Sequence, residues 1–250
     1  MSQFDQNCGF TLVEMAIVLL VIGLLLGAGL NAVGAQMASQ RYRESKTMLE
    51  RANQALLGFA LVNHHLPCPA DPVLDHDQPL AGMEDRQAAG GANAYRCERS
   101  YGDLPWRELG LPELDAWGRR LKYAVKTDPS GGIATYAGDF AGANPTLVTA
   151  CGLPSLSPCF SLLSGSNLTV RSASRRDGVA SNSRVLVSNA VAIVFSEGPQ
   201  GGSSGNDETE NRDADNNYIA DAPDGEFDDL LVWLPLTQLF YQLGSTGQLP

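Results

Sequence analysis

Ten of the chain's 28 acidic residues fall between positions 207 and 229, against one base, Arg212. Within that stretch Asp213, Asp215 and Asn217 set oxygen-bearing side chains at alternate positions, and Asp221 and Asp224 follow. Alternating oxygen ligands are how an EF-type loop surrounds Ca2+, with a backbone carbonyl at the seventh position and further oxygens at the ninth and twelfth. Counted this way, Ile219 offers the carbonyl, Asp221 the ninth ligand and Asp224 the twelfth. Tyr218 stands where such a loop needs Gly, and Asp224 where it needs Glu. The expectation is therefore a calcium loop outside the EF-hand class, held by Asp213, Asp215, Asn217, Asp221 and Asp224. The competing reading is a solvated acidic loop without metal.

Three other groupings point to chemistry more weakly. The histidines His64, His65 and His76 lie near Asp71, Asp75 and Asp77, from which a zinc site can be drawn. The prolines Pro67, Pro69 and Pro72 make an exposed loop the better reading there. The run Gly201-Gly202-Ser203-Ser204-Gly205 matches the nucleophile-elbow pattern. That elbow needs a helix next and a histidine downstream. No histidine follows, so a flexible turn is expected. Arg171, Arg175, Arg176 and Arg184 form a small basic cluster without interleaved aromatics. A solvated strand edge is expected rather than a nucleic-acid surface. No constellation for catalysis emerges, and the chain is not read as an enzyme.

The elements that must carry these residues follow from the rest of the chain. At 250 residues, with 44% hydrophobic and 18% charged residues, 26 Gly and 14 Pro, this is a folded, loop-rich protein. The composition excludes a collagen, a coiled-coil rod and a multi-span membrane protein. Most of the net charge of −11 sits in the acidic stretch, so the remaining surface offers no general attraction to nucleic acid. From Met15 to Gln40 there is neither charge nor proline. Such a run exceeds the ~20 residues needed to cross a bilayer, and one transmembrane helix over 10–35 is expected. Glu14 stands at its start, where a lone carboxylate in lipid calls for a partner or a task.

Gly9-Phe10-Thr11-Leu12-Val13-Glu14, with the apolar run directly behind, resembles the processing signature of type IV prepilins and pseudopilins. The resemblance is close over residues 9 to about 35 and architectural beyond. It implies a leader over 1–9, cleavage after Gly9 by a membrane prepilin peptidase, and N-methylation of Phe10 by the same enzyme. It implies a role for Glu14 in filament assembly. Physically, cleavage leaves the Phe10 ammonium at the membrane edge, and a carboxylate four residues on can neutralise it in its own or a neighbouring subunit. The expected partners are other pilin or pseudopilin subunits, the prepilin peptidase and the inner membrane; DNA is not among them. The leader departs from the family's usual basic character, carrying only Asp5.

Beyond the membrane, Tyr42, Ser45, Met48, Leu49, Ala52, Leu56, Phe59 and Ala60 continue at helical spacing, with charges filling much of the other face. This predicts an amphipathic extension over 36–63 whose stripe packs on a sheet. Residues 64–250 are expected to form a periplasmic head that includes the acidic loop 207–229. Its first part, 64–117, reads as a long connection with one short helix near 106–114. Strands are expected at 121–126, 134–137, 160–163, 168–172, 185–187, 190–195 and 230–234, and a terminal helix at 236–243. The segment Asp115-Ala116-Trp117-Gly118 is similar to the turn before a strand in pseudopilins. The fold class is α+β: a long N-terminal helix packed on an antiparallel sheet. Major pseudopilins carry calcium in a C-terminal loop, which agrees with the acidic segment.

Removal of the leader also removes Cys8, leaving Cys68, Cys97, Cys151 and Cys159. In an exported head, Cys68–Cys97 and Cys151–Cys159 are the simplest of the three possible pairings. The expected function is that of a minor pilin or pseudopilin in a type IV pilus or type II secretion-like filament. Its length favours a low-copy tip or initiating position over a repeating one. The rival is a single-span, membrane-anchored protein whose calcium-dependent head binds without polymerising.

Overall fold

The protein is described by a computed structural model over residues 11–63, 65–86, 97–126, 168–172, 183–202, 205–223 and 227–246, with the backbone alone described at 25–33. Helix α1 (Leu12–Asn63) runs without interruption for 52 residues. It ends where expected: the Asn63 side-chain amide donates to the Phe59 carbonyl at 3.0 Å, taking up one of the oxygens a helix C-terminus leaves open. The chain divides into two compact units, Met1–Arg43 and Glu44–Pro250, and α1 contributes to both.

In the first unit every described side chain from Thr11 to Leu24 is exposed. Leu12 is 88% exposed and Leu24 68%, although almost all of this stretch is apolar. Among the described residues no helix is long and apolar enough to cross a membrane. The apolar run of α1 includes 25–33, whose side chains lie outside the described set.

In the second unit the same helix buries one stripe. Ser45, Leu49, Ala52, Leu56 and Ala60 are within 1% of complete burial, at the three- and four-residue spacing that puts side chains on one face. They join a core with Leu121, Tyr123 and Val125, with Ala192 and Val194, and with Leu234, Leu239 and Leu243. The expected amphipathic stripe is thus the face that meets the sheet.

Among the described residues that sheet has six strands: β1 (Tyr101–Asp103), β2 (Lys122–Val125), β3 (Leu168–Arg171), β4 (Val185–Ser196), β5 (Asn217–Ile219) and β6 (Leu230–Pro235). Short helices α2 (Trp106–Leu109) and α3 (Asn206–Glu210) interrupt the connections, and α4 (Leu236–Ser245) closes the described chain. The period of two divides the side chains between two cores. Tyr123, Val125, Ala192 and Val194 meet α1, whereas Ala124, Ile193 and Phe195 meet Leu168, Val170 and Tyr218 in the second cluster.

The described strands β2, β3 and β6 fall close to where the sequence placed them, with informative departures elsewhere. The two strands foreseen at 185–187 and 190–195 are one strand, β4. Across Ser188-Asn189 the ladder with β3 shifts register between the Leu168↔Ala190 and Val170↔Val187 pairs, so β4 absorbs the irregularity without ending. Residues 190–196 of β4 pair with β6 and 192–195 also with β2, which makes this apolar run the centre of the sheet, as its composition indicated. The sheet is antiparallel except that β5 runs parallel to β3, after a crossover connection through α3.

Strands β1 and β5 were not foreseen; at three residues each they are too short to show alternation. The connection 64–117 is also more structured than expected. Ala70 bridges Asp103, and Cys68 and Cys97 form a disulfide with Cα atoms 5.2 Å apart. The foreseen strands 134–137 and 160–163 lie outside the described residues, as does the Cys151–Cys159 pair.

Candidate functional site

Three places bear on function: the start of α1, the acidic connection between β4 and β6, and the scattered histidines and arginines. At the first, Gly9 and Phe10 lie outside the described residues. Directly behind them, Thr11 and Glu14 form a reciprocal pair. The Glu14 amide donates to Thr11 Oγ1, and the Thr11 amide and hydroxyl both donate to Glu14 Oε2, each at 3.2 Å. This is a capping box, in which a Thr before the helix and a Glu three residues on satisfy each other's backbone donors. The Thr-x-x-Glu spacing was legible in the sequence, but the resemblance drew Glu14 into an assembly role and left its local one unread.

The acidic connection is built by strand register. Ser196 at the end of β4 pairs with Leu230 at the start of β6, so the residues just beyond each end face one another. Gly198 has φ +59° and lies so close to Asp228 that a Cβ there would sit 2.3 Å from the Asp228 carbonyl oxygen. Glycine is therefore required twice, by backbone conformation and by space. Arg119, in the turn before β2, donates to the carbonyls of Gly198 and Pro199 and clamps this loop. The turn itself is fixed by Asp115. Its Oδ1 accepts the amides of Trp117 and Arg119 at 2.9 Å, and its Oδ2 accepts the Ser196 hydroxyl at 2.6 Å.

The foreseen ligands separate into different environments. Asp213 Oδ1 accepts the Asp215 amide at 3.1 Å, and Asp215 Oδ1 accepts the Asn217 amide at 2.5 Å. Consecutive side-chain-to-backbone turns thus account for the alternating Asp-x-Asp-x-Asn pattern. The Asn217 side-chain amide donates to Asp215 Oδ2 at 3.0 Å. Asp213 and Asp215 gather with Glu210, which the sequence count did not include, at carboxylate separations within 4.8 Å. Burial and the neighbouring Asp213 and Asp215 push the Glu210 carboxyl above its ordinary range.

Asp221 stands outside that group and accepts the Ala222 amide at 2.7 Å; Asp224 lies outside the described residues. The Ile219 carbonyl, the expected seventh-position ligand, instead accepts the Asn211 side-chain amide at 3.1 Å. Tyr218 turns into the second core beside Phe195, with ring centres 6.3 Å apart.

A second carboxylate trio was not foreseen. Glu208, Asp228 and Asp229 also bring carboxylate oxygens within 4.8 Å of one another, and all three are buried. Asn211, fully buried, ties this trio to β5. It donates to Asp229 Oδ2 at 2.8 Å, and its Oδ1 accepts the Ile219 amide at 2.7 Å. Burial pushes the Asp229 carboxyl up to about 7, reinforced by the charges of Glu208 and Asp228 against the opposing Asn211 hydrogen bond. Burial also raises the Glu208 carboxyl. Which of ten acids are buried depends on the β4–β6 register, which residue spacing within the loop does not encode.

The remaining candidates disperse. His65 is buried rather than in an exposed loop; its Nδ1 lies 2.8 Å from the Leu66 carbonyl oxygen, and its ring meets Phe59 edge-on. The cause is that the chain turns back onto the end of α1 there, placing Leu66 in the core. His76 pairs with Glu113 at 2.9 Å, and His64 lies outside the described residues. The glycine run is followed by the short helix α3 rather than directly by a loop, because Asp207 and Glu208 in its first turn suit a helix N-terminus. Ser203 and Ser204 lie outside the described residues. Arg171 and Arg184 sit at the paired ends of β3 and β4, where the Ser172 amide donates to the Arg184 carbonyl at 2.8 Å; Arg175 and Arg176 lie outside the described residues.

Residues 5–30 match the family model described as the prokaryotic N-terminal methylation motif. The match covers the apolar start of α1 and, within it, the Thr11–Glu14 pair. No curated protein and no solved structure matches the chain. The chain thus carries a prepilin-type methylation motif. A long helix followed by a curled, antiparallel-rich sheet agrees with a pilin-like fold, and the motif supports a type IV pilin-like or pseudopilin-like protein. The family of this motif is structural rather than enzymatic.

Proposed function

We propose that this chain is a minor pilin or pseudopilin. In this reading the precursor is cut after Gly9 by prepilin peptidase and methylated at Phe10. A helix over 10–35 holds it in the inner membrane, with the head on the periplasmic side. It then assembles with other pilin or pseudopilin subunits into a filament.

The observation that carries the reading is the conjunction of the methylation motif with α1 behind it. The described apolar residues from Leu12 to Leu24 are exposed, and each bare side chain of this size leaves roughly 1.5–3 kcal/mol of burial energy unrealised in water. Lipid before assembly, and neighbouring helices after it, are the surroundings in which such a helix is stable.

The test is the intact mass and N-terminus of the protein from cells with and without prepilin peptidase. The expected outcome is a chain beginning at Phe10 with one extra methyl group, present only with the peptidase. An uncut chain in both strains would sink the filament reading. It would leave the anchored, non-polymerising binding protein as the better account.

A further inference from the structure

We propose that Glu208, Asp228 and Asp229 form a divalent-cation site with calcium as its occupant, closing the connection between β4 and β6. The inference stands apart from the filament reading. It shares no residue with the alternating set Asp213, Asp215, Asn217, Asp221 and Asp224.

Geometry comes first. One carboxylate oxygen from each of the three residues lies within 4.8 Å of the others. Glu208 is 2% exposed, Asp228 1% and Asp229 3%, so water cannot screen their mutual repulsion. Asp228 is the informative member. Its Oδ2 accepts the Gln200 amide at 2.6 Å, while its buried Oδ1 has no hydrogen-bond partner. A buried carboxylate oxygen without a partner carries a desolvation penalty that a ligand removes. Its surroundings are built rather than accidental, since Gly198 wraps the carboxylate and Arg119 fixes the carbonyls of Gly198 and Pro199.

Charge points the same way. Arg212 lies beside the trio, its Nε donating to the Glu208 carbonyl at 3.1 Å. One guanidinium does not balance three ionised carboxylates. Without a cation, three carboxylates crowded into buried space repel one another across a low-dielectric gap. A divalent cation relieves that repulsion and gives the unpartnered Asp228 Oδ1 a partner.

The donor set selects the ion. Three carboxylates with neither nitrogen nor sulfur suit a hard cation rather than zinc. Calcium accepts irregular cages of protein oxygens, whereas magnesium keeps several waters and demands near-octahedral geometry, which suits a buried trio less well. The exposed trio of Glu210, Asp213 and Asp215 has the same nominal charge. Its aspartates are exposed, so water solvates their charge and it carries no comparable demand for an ion.

The experiment uses the full chain in detergent, stripped with a chelator and titrated calorimetrically with calcium chloride alone, then with magnesium chloride alone. Thermal unfolding is recorded in parallel. The expected result is saturable calcium binding with a calcium-dependent rise in Tm. Asp228→Asn should weaken calcium binding by about tenfold or more, equivalent to ~1.4 kcal/mol. The double variant Asp213→Asn with Asp215→Asn should bind as the parent does. Absence of heat and of a Tm shift in the parent overturns the proposal, whatever the variants do. Loss of binding in the Asp213/Asp215 variant with retention in Asp228→Asn also overturns it. Magnesium binding as tight as calcium overturns the choice of ion. Should Asp228→Asn fail to fold, Asp229→Asn is the substitute, because it removes the charge of another member of the same trio.

Discussion

One helix supplies both halves of an instructive contrast. Over residues 11–24, α1 is apolar nearly all round and every side chain is exposed; over residues 45–60 it is apolar on one stripe, and that stripe is buried within the head. The backbone is the same in both, so the difference lies in the side-chain pattern. A stripe with charges opposite needs one partner surface, and the sheet supplies it. Apolarity on every face needs an apolar medium or several partners. The second half of α1 therefore belongs to the stability of this chain, and the first half to what lies outside it.

The contrast breaks most readily at Leu56. This side chain is fully buried in the core beside the sheet. Leu56→Ala should lower the unfolding free energy of the head by roughly 2–5 kcal/mol, the usual range for a buried Leu emptied to Ala. Leu19→Ala removes the same atoms from a side chain 65% exposed and should leave the head's denaturation midpoint unchanged within error. The pair is read by chemical denaturation followed at the tryptophans. Equal effects from the two substitutions would mean that the arm contributes to the head's fold and that the division of α1 is wrong.

The disulfide offers the next largest effect. Cys68 is buried, and Cys68–Cys97 closes a sequence separation of 29 residues close to the end of α1. Limiting that loop in the unfolded chain is worth roughly 2–4 kcal/mol. Replacement of both cysteines by serine should lower the head's stability by that order, with no change in helicity of the arm. An unchanged denaturation midpoint would show that Ala70, Asp103 and the packing around Leu66 suffice to hold the segment.

How much of this was legible in the sequence follows the same division. The helix and its buried stripe were readable because a period of 3.6 repeats over many turns, so that Leu49, Ala52, Leu56 and Ala60 reinforce one another. The end at Asn63 was readable from the prolines beyond it. Strands β2 and β6 and the apolar half of β4 were readable from alternation or from a continuous apolar run. Three-residue β1 and β5 were not, because their existence depends on partners far away in sequence: Ala124 for Tyr101, and Val170 for Tyr218. The acidic segment was found as a segment, but its burial was not. Asp213 and Asp228 look alike in sequence, and only the pairing of Ser196 with Leu230 places one in solvent and the other under Gly198. Asn211 carries no motif, and its importance arises from reaching Ile219 and Asp229 at once.

The smallest expected effect sharpens the contrast at its outer end, where Glu14 holds two candidate tasks. Its carboxylate closes a capping box with Thr11, and its charge is proposed to serve assembly. The two tasks separate by substitution. Glu14→Gln keeps a side-chain oxygen able to accept the Thr11 amide while removing the charge, since Gln serves in the same box. Thr11→Ala keeps the charge and removes the cap, at a cost of about 0.5–2 kcal/mol to the local helix end. Incorporation into filaments is then scored by shearing and blotting, and fraying of the first turn by amide exchange at residues 12–14. A charge role predicts that Glu14→Gln abolishes incorporation with the first turn intact, whereas Thr11→Ala frays the turn and still assembles. The opposite pattern would assign Glu14 to its own helix. The first half of α1 would then depend on apolar contact alone for its partners, as the buried stripe does for the sheet.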